Sequence, residues 1–357
     1  MTAKAEAPPR RYTPLVQLVL ARLREFFREP EAIFWVYGFP ILMVVALGIA
    51  FRNKPVEKMT VDVQAGPAAE EIARTLTADG RFVARVFDAE TTRIRLRTGR
   101  TDLIIAPADT PSGPGYTYLY DPSRTEGVLA RNAANDALQR AKGRQDPVPT
   151  ANQELQEPGG RYIDFLVPGL LGMSLMGGGM WGVGFVTVDM RIRKLLKRFL
   201  ATPMRKSDFL AGILLSRLVF MVPEVLVILL FGWLAFGVVI YGSLLAVLVL
   251  ILLGAFTFAG LGLLVASRAR TLEAVSGLMN LVMLPMWILS GIFFSSERFP
   301  EEMQPFIKAI PLTPLIDALR AVMLEGASLA SQATEIAILA AWGVGTFALA
   351  LLWFRWS

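Results

Sequence analysis

The sequence contains neither cysteine nor histidine, and only 18% of its 357 residues are charged. Without cysteine there is no disulfide and no thiolate metal site. Without histidine the chain lacks the commonest general base and the commonest metal ligand. The hydrophobic fraction is 54%, which exceeds the norm for soluble domains. The composition therefore indicates a membrane protein.

Recognisable catalytic motifs are also missing. No Gly-x-x-x-x-Gly-Lys-Ser/Thr loop occurs, so the sequence predicts neither ATP binding nor any other cofactor in this chain. The apolar segments contain no lysine and no pair of aspartates for intramembrane catalysis. A nucleic-acid partner is not expected either, because residues 52–160 hold fifteen Lys/Arg and fifteen Asp/Glu and form no basic patch. We expect a protein that is not itself an enzyme.

Apolar segments recur along the chain at lengths that suit a membrane about 30 Å thick. We predict six transmembrane helices, over residues 33–51, 161–188, 218–240, 244–266, 274–294 and 336–354. A cleaved signal peptide is the alternative for the first segment. It fits poorly, because the polar leader is long and no small-x-small cleavage site follows.

Lysine and arginine indicate the orientation of these spans, since short cytoplasmic loops are enriched in them. Residues 1–32 hold six Lys/Arg and residues 191–217 hold eight, whereas the turn 237–243 holds none. Both termini are therefore predicted to be cytoplasmic and residues 52–160 extracytoplasmic. Within the N-terminal segment, residues 14–28 have one apolar face and read as a helix lying in the membrane interface. An ordinary soluble amphipathic helix is the alternative.

Residues 52–160 form the one stretch long enough for a soluble domain. Alternating and helical patterns predict strands and helices in mixed order. The strands are at 58–64, 81–87, 102–106 and 116–120, and the helices at 68–76, 89–97 and 124–141. The pattern predicts a small α/β domain, followed by a linker at 143–160 that returns to the membrane.

The cytoplasmic loop 189–217 is the most basic part of the chain. Its apolar residues are spaced as on one face of a helix, which Thr202-Pro203 ends. Such a basic amphipathic helix suits either anionic lipid or a partner protein. The candidate contact residues are Arg191, Arg193, Lys194, Leu195, Leu196, Lys197, Arg198, Phe199 and Leu200.

Glu224 is an acid well inside the predicted span 218–240, and Arg217 lies two turns earlier on the same helical face. A buried acid in a membrane is either part of a structural pair or functional in gating and passage. The fifth span contains three residues that interrupt a regular apolar helix, and these are further candidates for a pathway or gate: Pro285, Ser290 and Gly291. The segment 295–335 is rich in proline and reads as a re-entrant or outer-surface helical hairpin. Gly177-Gly178-Gly179 predicts close helix packing or a flexible pathway helix.

Two stretches resemble the ABC-2 type transporter permease family. KLLKRFLATP (Lys194–Pro203) is similar to the family's coupling segment, and SGIFFSSERFPEEMQPFIKAIPLTPLIDALRAVMLEG is similar to its C-terminal pattern. The order of spans resembles the family over essentially the whole chain. The resemblance implies an all-α membrane fold of six transmembrane helices with an inserted extracytoplasmic α/β domain. It also implies a coupling helix at Arg191–Leu200, although the Glu and Gly-Thr pair of many relatives is absent before it.

The same resemblance implies an export permease of the plasma membrane that moves a hydrophobic or lipid-linked substrate or a drug outward. Two ABC ATP-binding subunits would bind ATP-Mg and drive it, and a second permease copy would complete a homo- or heterodimer among membrane lipids. The alternatives are a membrane-anchored extracytoplasmic sensor and a secondary transporter. The latter would be expected to show inverted repeats and polar groups at the membrane midplane.

Overall fold

A computed structural model describes residues 14–50, 58–110, 113–148, 159–195 and 206–353 of the chain. The chain divides into two compact units, one of residues 1–52 with 156–357 and the other of residues 53–155. The first unit is helical and the second combines helices with a sheet.

The helices are α1 (Pro14–Phe26), α2 (Pro30–Ile33), α3 (Phe39–Ala50), α4 (Ala69–Asp79), α5 (Ala89–Arg97), α6 (Thr125–Ala141), α7 (Tyr162–Gly179), α8 (Val186–Ile192), α9 (Lys206–Phe236), α10 (Leu244–Ala266), α11 (Leu272–Leu289), α12 (Gln304–Ala309), α13 (Leu312–Glu325) and α14 (Ala333–Trp353). A π-helical segment, Phe34–Gly38, joins α2 to α3, and another, Met180–Phe185, joins α7 to α8. Short 3₁₀ turns lie at Ser296–Arg298, Glu301–Met303 and Leu329–Gln332.

Five helical segments of the described chain have the length and apolar composition needed to cross a membrane. They are Tyr162–Ile192, Ala211–Phe236, Leu244–Ala266, Leu272–Leu289 and Leu329–Trp353. The first predicted span corresponds to Phe34–Ala50, which is apolar but shorter. Its π-helical start directly precedes Phe39-Pro40, where proline has no N–H to continue regular helix hydrogen bonding.

Two of the predicted spans end earlier in the structure than the sequence predicted. The third ends at Phe236 rather than at residue 240, because Gly237 takes a left-handed conformation with φ of +61°. The fifth ends at Leu289 rather than at residue 294, where Ser290 caps the helix and Gly291 has φ of +78°. Both are glycine terminations, in which a residue without a side chain adopts a backbone conformation that others avoid.

Residues 53–155 form a four-stranded sheet in the order β2-β1-β3-β4. The strands are β1 (Met59–Gln64), β2 (Phe82–Phe87), β3 (Leu103–Thr110) and β4 (Gly113–Leu119). β1 pairs in parallel with β2 and β3, and β4 is antiparallel to β3. The predicted strands and helices of this unit are present, and the largest difference is that β3 continues to Thr110 instead of stopping at residue 106.

Alternation along the strands separates the two faces of the sheet. Val61, Val63, Leu103 and Ile105 are buried in one core with apolar residues of α4 and α6. Asp62, between the two valines, lies on the opposite face and is fully buried. Its Oδ2 accepts a hydrogen bond of 2.7 Å from Nε of Arg95, on α5. This ion pair joins α5 to the sheet.

In the helical unit, α7 and α10 approach closely because small residues face each other. A Cβ on Gly179 would overlap the backbone of Phe258, and a Cβ on Gly184 would overlap that of Gly262. α10 meets α14 in a similar way, with Gly260 against Thr346. Small residues at such crossings allow backbone contact between membrane helices. The contacts favour the packing interpretation of the glycine-rich second span.

Two amphipathic helices pack against the longer helices of this unit. α1 packs on α9 through Leu18, which lies against Gly212, while Val16 and Leu20 on its other faces are exposed. α13 buries Leu315 and Ile316 against glycines of α10 and α7. The segment predicted as a hairpin, 295–335, is therefore packed on the bundle through α13; its depth in a membrane stays a prediction.

Candidate functional site

The basic loop begins with a break instead of the predicted continuous helix. α8 ends at Ile192, and Lys194 has φ of +58°, in the left-handed region. Residues other than glycine are disfavoured in this region, and a residue with this backbone conformation ends an α-helix. The prediction of one helix over Arg191–Leu200 is thus wrong at its start. Leu195 follows the break, and the candidates Leu196, Lys197, Arg198, Phe199 and Leu200 lie outside the described residues.

The sequence predicted Arg191 as a contact residue for lipid or a partner protein. In the structure its side chain instead points into the bundle. Its Nη1 donates hydrogen bonds to the carbonyls of Ala266, at 2.9 Å, and Ala269, at 3.0 Å. These carbonyls lie at the C-terminus of α10 and in the following turn, where the helix dipole favours a cation. Arg191 therefore joins the end of α8 to the turn between α10 and α11.

Arg193 and Lys194 are the exposed cations at the start of the loop. Nε of Arg193 lies 2.9 Å from Oδ1 of Asp189, one turn earlier. This pair is open to solvent on the arginine side, with 66% of the Arg193 side chain exposed. Both cations remain accessible to an approaching acidic surface.

Glu224 forms a buried polar cluster with Arg217 and Ser174. Nη2 of Arg217 lies 2.8 Å from Oε2 of Glu224 on the same helix, α9. Only 7% of the arginine and 4% of the glutamate side chain is exposed. The hydroxyl of Ser174, on α7, donates to Oε1 of Glu224. The pairing expected from the seven-residue spacing is confirmed.

The three consecutive glycines of α7, residues 177–179, differ in what lies next to them. A Cβ on Gly178 would overlap the Arg217 guanidinium, and one on Gly179 would overlap Phe258. At Gly177 a Cβ would meet nothing within 4 Å. Gly178 and Ser174 are one helical turn apart, so α7 contacts both members of the α9 ion pair from one face.

At the other end of α7, Arg320 joins three elements. Its Nε and Nη2 each lie 3.3 Å from the carbonyl oxygen of Phe165, and Nη2 also donates to the carbonyl of Gly291. The guanidinium carbon sits 3.5 Å from the centroid of the Phe165 ring. α13 is thereby attached to the start of α7 and to the segment that follows α11.

The predicted pathway residues are distributed over separate places. Gly291 lies at the Arg320 contact, and Ser290 beside it is fully buried, with no hydrogen-bond partner for its hydroxyl among the described residues. Pro285 is exposed on α11, and Glu224 belongs to the α7–α9 cluster. The sequence analysis missed the role of Arg191 and Arg320, both partly buried, in joining helices through backbone carbonyls. The available signal was that a cation next to a predicted apolar segment needs an acceptor.

Comparison with known proteins identifies the family. The sequence matches the family described as ABC-2 family transporter protein over residues 30–352. The chain belongs to the ABC-2 transporter family. Members of this family are multi-pass membrane proteins that supply the transmembrane component and associate with ATP-binding subunits.

Similar curated proteins agree with this membership. The chain is 26% identical to ABC transporter G family member 20 of Dictyostelium discoideum over 60% of its own length and 30% of that protein. It is 25% identical to the linearmycin resistance permease protein LnrN of Bacillus subtilis, over 48% of its length and 44% of the relative. It is 29% identical to nodulation protein J of Bradyrhizobium diazoefficiens, over 55% and 75% respectively. The chain thus spans less than half of the first two relatives.

Proposed function

We propose that this chain is the permease subunit of an ABC-2 exporter, which moves a hydrophobic or lipid-linked substrate or a drug outward. Two separate ATP-binding subunits hydrolyse ATP, and a second permease copy completes the transport unit. The observation that carries the proposal is the arrangement at the start of the basic loop. Arg193 and Lys194 are exposed for a partner, while Arg191 beside them is anchored to the end of α10.

This arrangement supports a mechanical role for the loop. A displacement imposed on residues 193–205 passes to α8, and the hydrogen bonds of Arg191 carry it to the turn before α11. The Arg217–Glu224–Ser174 cluster holds α9, on the far side of the loop, to α7. Closure of the ATP-binding subunits would then move α7, α9 and α10 together and alternate the permease between inward-facing and outward-facing states.

The orientation is part of the proposal. The positive-inside bias of the sequence supports cytoplasmic termini, a cytoplasmic loop and an extracytoplasmic segment at residues 52–160. α13, attached through Arg320, would then cover the outer end of the bundle and move when substrate leaves.

A hydrophobic substrate is supported by the apolar character of the spans and by one relative. The Bacillus subtilis relative is named a linearmycin resistance permease protein, and drug export would be one form of the activity proposed here.

The test begins with purification of the chain from native membranes in mild detergent, followed by mass analysis. We expect an ATP-binding subunit in near one-to-one ratio. Reversing the charge of Arg193, Lys194 and Lys197 to glutamate should abolish the association. Reversal of Arg74, Arg93 and Arg97, exposed on the other unit, changes the net charge equally and should leave the association intact.

Two results would contradict the proposal. Association that survives reversal at Arg193, Lys194 and Lys197 would remove the loop as the docking site. A chain that purifies without an ATP-binding subunit, even after crosslinking, would favour the sensor or secondary-transporter alternatives.

A further inference from the structure

Equal totals of basic and acidic residues in the range 52–160 conceal an uneven distribution. Residues 81–100, which include β2 and α5, contain six arginines and only two acids, Asp88 and Glu90. With fifteen residues of each sign in the whole range, the remainder holds nine Lys/Arg and thirteen Asp/Glu. The unit is therefore neutral in total but strongly basic in the segment of β2 and α5.

Two of these six arginines are paired within the unit. Nε of Arg81 lies 2.5 Å from Oδ1 of Asp79. Nε of Arg95 lies 2.7 Å from Oδ2 of Asp62. The other four are exposed and have no ion pair with any residue that the structure describes, namely Arg85, Arg93, Arg97 and Arg100. Unpaired cations of one sign attract acidic groups of a partner.

Strand register and a helix contact place these arginines on one side of the sheet. Arg85 of β2 is opposite Asp62 of β1, so the two side chains point to the same face. Arg95 of α5 binds Asp62, which places α5 over that face. On the exposed side of α5, Arg93 and Arg97 lie one turn apart and line a shallow depression with Ala89, Glu90 and Ile94. This face is therefore basic on both the strand and the helix.

β2 is an edge strand with an unused hydrogen-bonding side. The sheet order places β1 on one side of it and no described strand on the other. The carbonyls of Arg81 and Phe87 accept hydrogen bonds from residues 59 and 65, on the β1 side. Backbone groups alternate in direction along a strand, so those of Phe82, Ala84 and Val86 point away from β1.

β4, at the opposite edge, is less suited to pairing with another chain. It begins with Gly113-Pro114-Gly115, and proline and glycine weaken the pairing of a strand. β2 contains neither, so its outward row of N–H and C=O groups is continuous. Such a row is a template for a strand from another molecule.

We propose that β2 binds an extended acidic segment of a second protein, which joins the sheet beyond β2 as a fifth strand. Main-chain hydrogen bonds to Phe82, Ala84 and Val86 supply affinity, and side chains at alternate positions supply specificity. In an added strand, about 4.8 Å from β2, every second side chain lies on the face of Arg85. Acidic residues at those positions pair with Arg85, and the cations of α5 attract the same segment.

Charge complementarity selects this occupant over two others. Pairing of β2 with a second copy of β2 brings arginine towards arginine, and like charges on facing strands are destabilising. An anionic lipid surface would bind the arginines but would leave the outward backbone groups of β2 unpaired. The partner is additional to the ATP-binding subunits, and its location outside the membrane rests on the orientation in the proposed function.

The test uses the full chain in nanodiscs of neutral lipid and two six-residue peptides, matched to the length of β2. One peptide alternates valine with glutamate and the other alternates valine with lysine. We expect the glutamate peptide alone to slow hydrogen exchange, measured at residue resolution, at the outward amides of Phe82, Ala84 and Val86. The amides of Val83 and Arg85, which point towards β1, should not change.

Two charge reversals provide the matched comparison. Arg85→Glu should weaken binding of the glutamate peptide by about 2- to 30-fold, because a cross-strand attraction becomes a repulsion, and should allow the lysine peptide to bind. Arg74→Glu changes the net charge equally at an exposed position of α4 and should leave the preference for glutamate unchanged. Exchange at β1 should be the same in both variants and the native chain, which shows that the sheet is intact.

The natural partner can be identified in native membranes with a photo-crosslinking residue in place of Arg85 or, as the control, Arg74. We expect a link from position 85 and none from position 74. The linked segment, located by mass analysis, should alternate acidic residues with others. A linked segment without acidic residues would contradict the proposal.

Three outcomes with the peptides and lipid would also overturn it. Outward amides that neither peptide slows would show that the edge of β2 is not a binding site. Equal effects of both peptides, or an unchanged preference in Arg85→Glu, would remove the role of charge. Protection of the single thiol of Arg93→Cys by phosphatidylglycerol nanodiscs, with no effect of the glutamate peptide, would assign the basic face to lipid. All three leave the association with ATP-binding subunits, tested at Arg193, Lys194 and Lys197, unaffected.

Discussion

The guanidinium of Arg217 lies 2.8 Å from the carboxylate of Glu224, two turns along the same helix and nearly buried. The contact spans Pro223, whose missing N–H leaves one helix hydrogen bond unmade. Ser174 and Gly178 of α7 contact the glutamate and the arginine respectively. The pair therefore fixes α9 against α7 on either side of the proline.

Removing one member of this pair should destabilise the protein more than removing both. Glu224→Leu leaves a buried guanidinium without its carboxylate, and we expect the free energy of unfolding to fall by about 3–5 kcal/mol. The double variant Arg217→Met, Glu224→Leu should lose less, because apolar side chains of similar volume leave no uncompensated charge. Unfolding titrations in mixed micelles measure both.

A more conservative variant distinguishes a structural from a gating role for Glu224. Glu224→Gln keeps the shape of the side chain and an acceptor for Ser174. If Glu224→Gln is as stable as the native chain but loses ATPase stimulation by substrate, the gating hypothesis gains support. If stability and stimulation fall together, the structural hypothesis does.

Gly178 should not tolerate a side chain, although its neighbour should. A methyl group at position 178 overlaps the Arg217 guanidinium, whereas position 177 is open. We expect Gly178→Ala to lower the free energy of unfolding by about 1–3 kcal/mol, as for other overpacked sites. Gly177→Ala is the matched control and should be neutral or slightly stabilising, since alanine favours helices. Equal effects of the two substitutions would contradict the packing of the Arg217 guanidinium against Gly178.

Arg320 should be needed for the attachment of α13. Arg320→Ala removes hydrogen bonds to the carbonyls of Phe165 and Gly291 and the stacking on the Phe165 ring. Bonds from a charged group contribute about 1.5–3 kcal/mol each, so the protection of α13 in hydrogen–deuterium exchange should drop sharply. Arg320→Lys keeps the charge but not the planar fork and should recover only part. Arg298→Ala, an exposed arginine of the preceding turn, should have no effect on α13.

Two aspartates of the 53–155 unit, Asp62 and Asp88, should make contributions to its stability that change with pH in opposite directions. Burial raises the pKa of Asp62 above 3.8, and the neighbouring Arg95 only partly opposes it. Its contribution to stability is then fully present below pH 3.8 and declines as the pH rises through the raised pKa. Asp62→Asn should remove this decline, measured as exchange protection of β1 corrected for intrinsic rates.

Asp88 provides the comparison. Hydrogen bonds from Thr91 lower the pKa of this exposed carboxyl at the start of α5. Its contribution is present above pH 3.8 and is lost as the pH falls through the lowered pKa. Asp88→Asn should therefore change protection of α5 in acid in the opposite sense, and the same sign at both positions would contradict the assignments.

The sequence determined the features that depend on neighbours a few residues apart. Alternating residues along β1 and helical spacing in α4, α5 and α6 reflect which side chains are buried, so the α/β unit was predicted nearly to its boundaries. The Arg217–Glu224 pair was predictable for the same reason, because two helical turns bring residues seven apart onto one face. The family resemblance and the basic loop were also readable from local sequence.

Only the tertiary structure decided which carbonyls the partly buried Arg191 and Arg320 bind and where helices end. Arg191 binds carbonyls 75 and 78 residues away, and Arg320 binds one 155 residues away. Backbone carbonyls exist at every residue, so no side-chain pattern marks which of them will be the acceptor. The helix break at Lys194 was missed because basic and apolar residues continue through it, so the local pattern does not mark the left-handed backbone at this residue. Local spacing determines which face of an element is buried, whereas folding determines what lies against it.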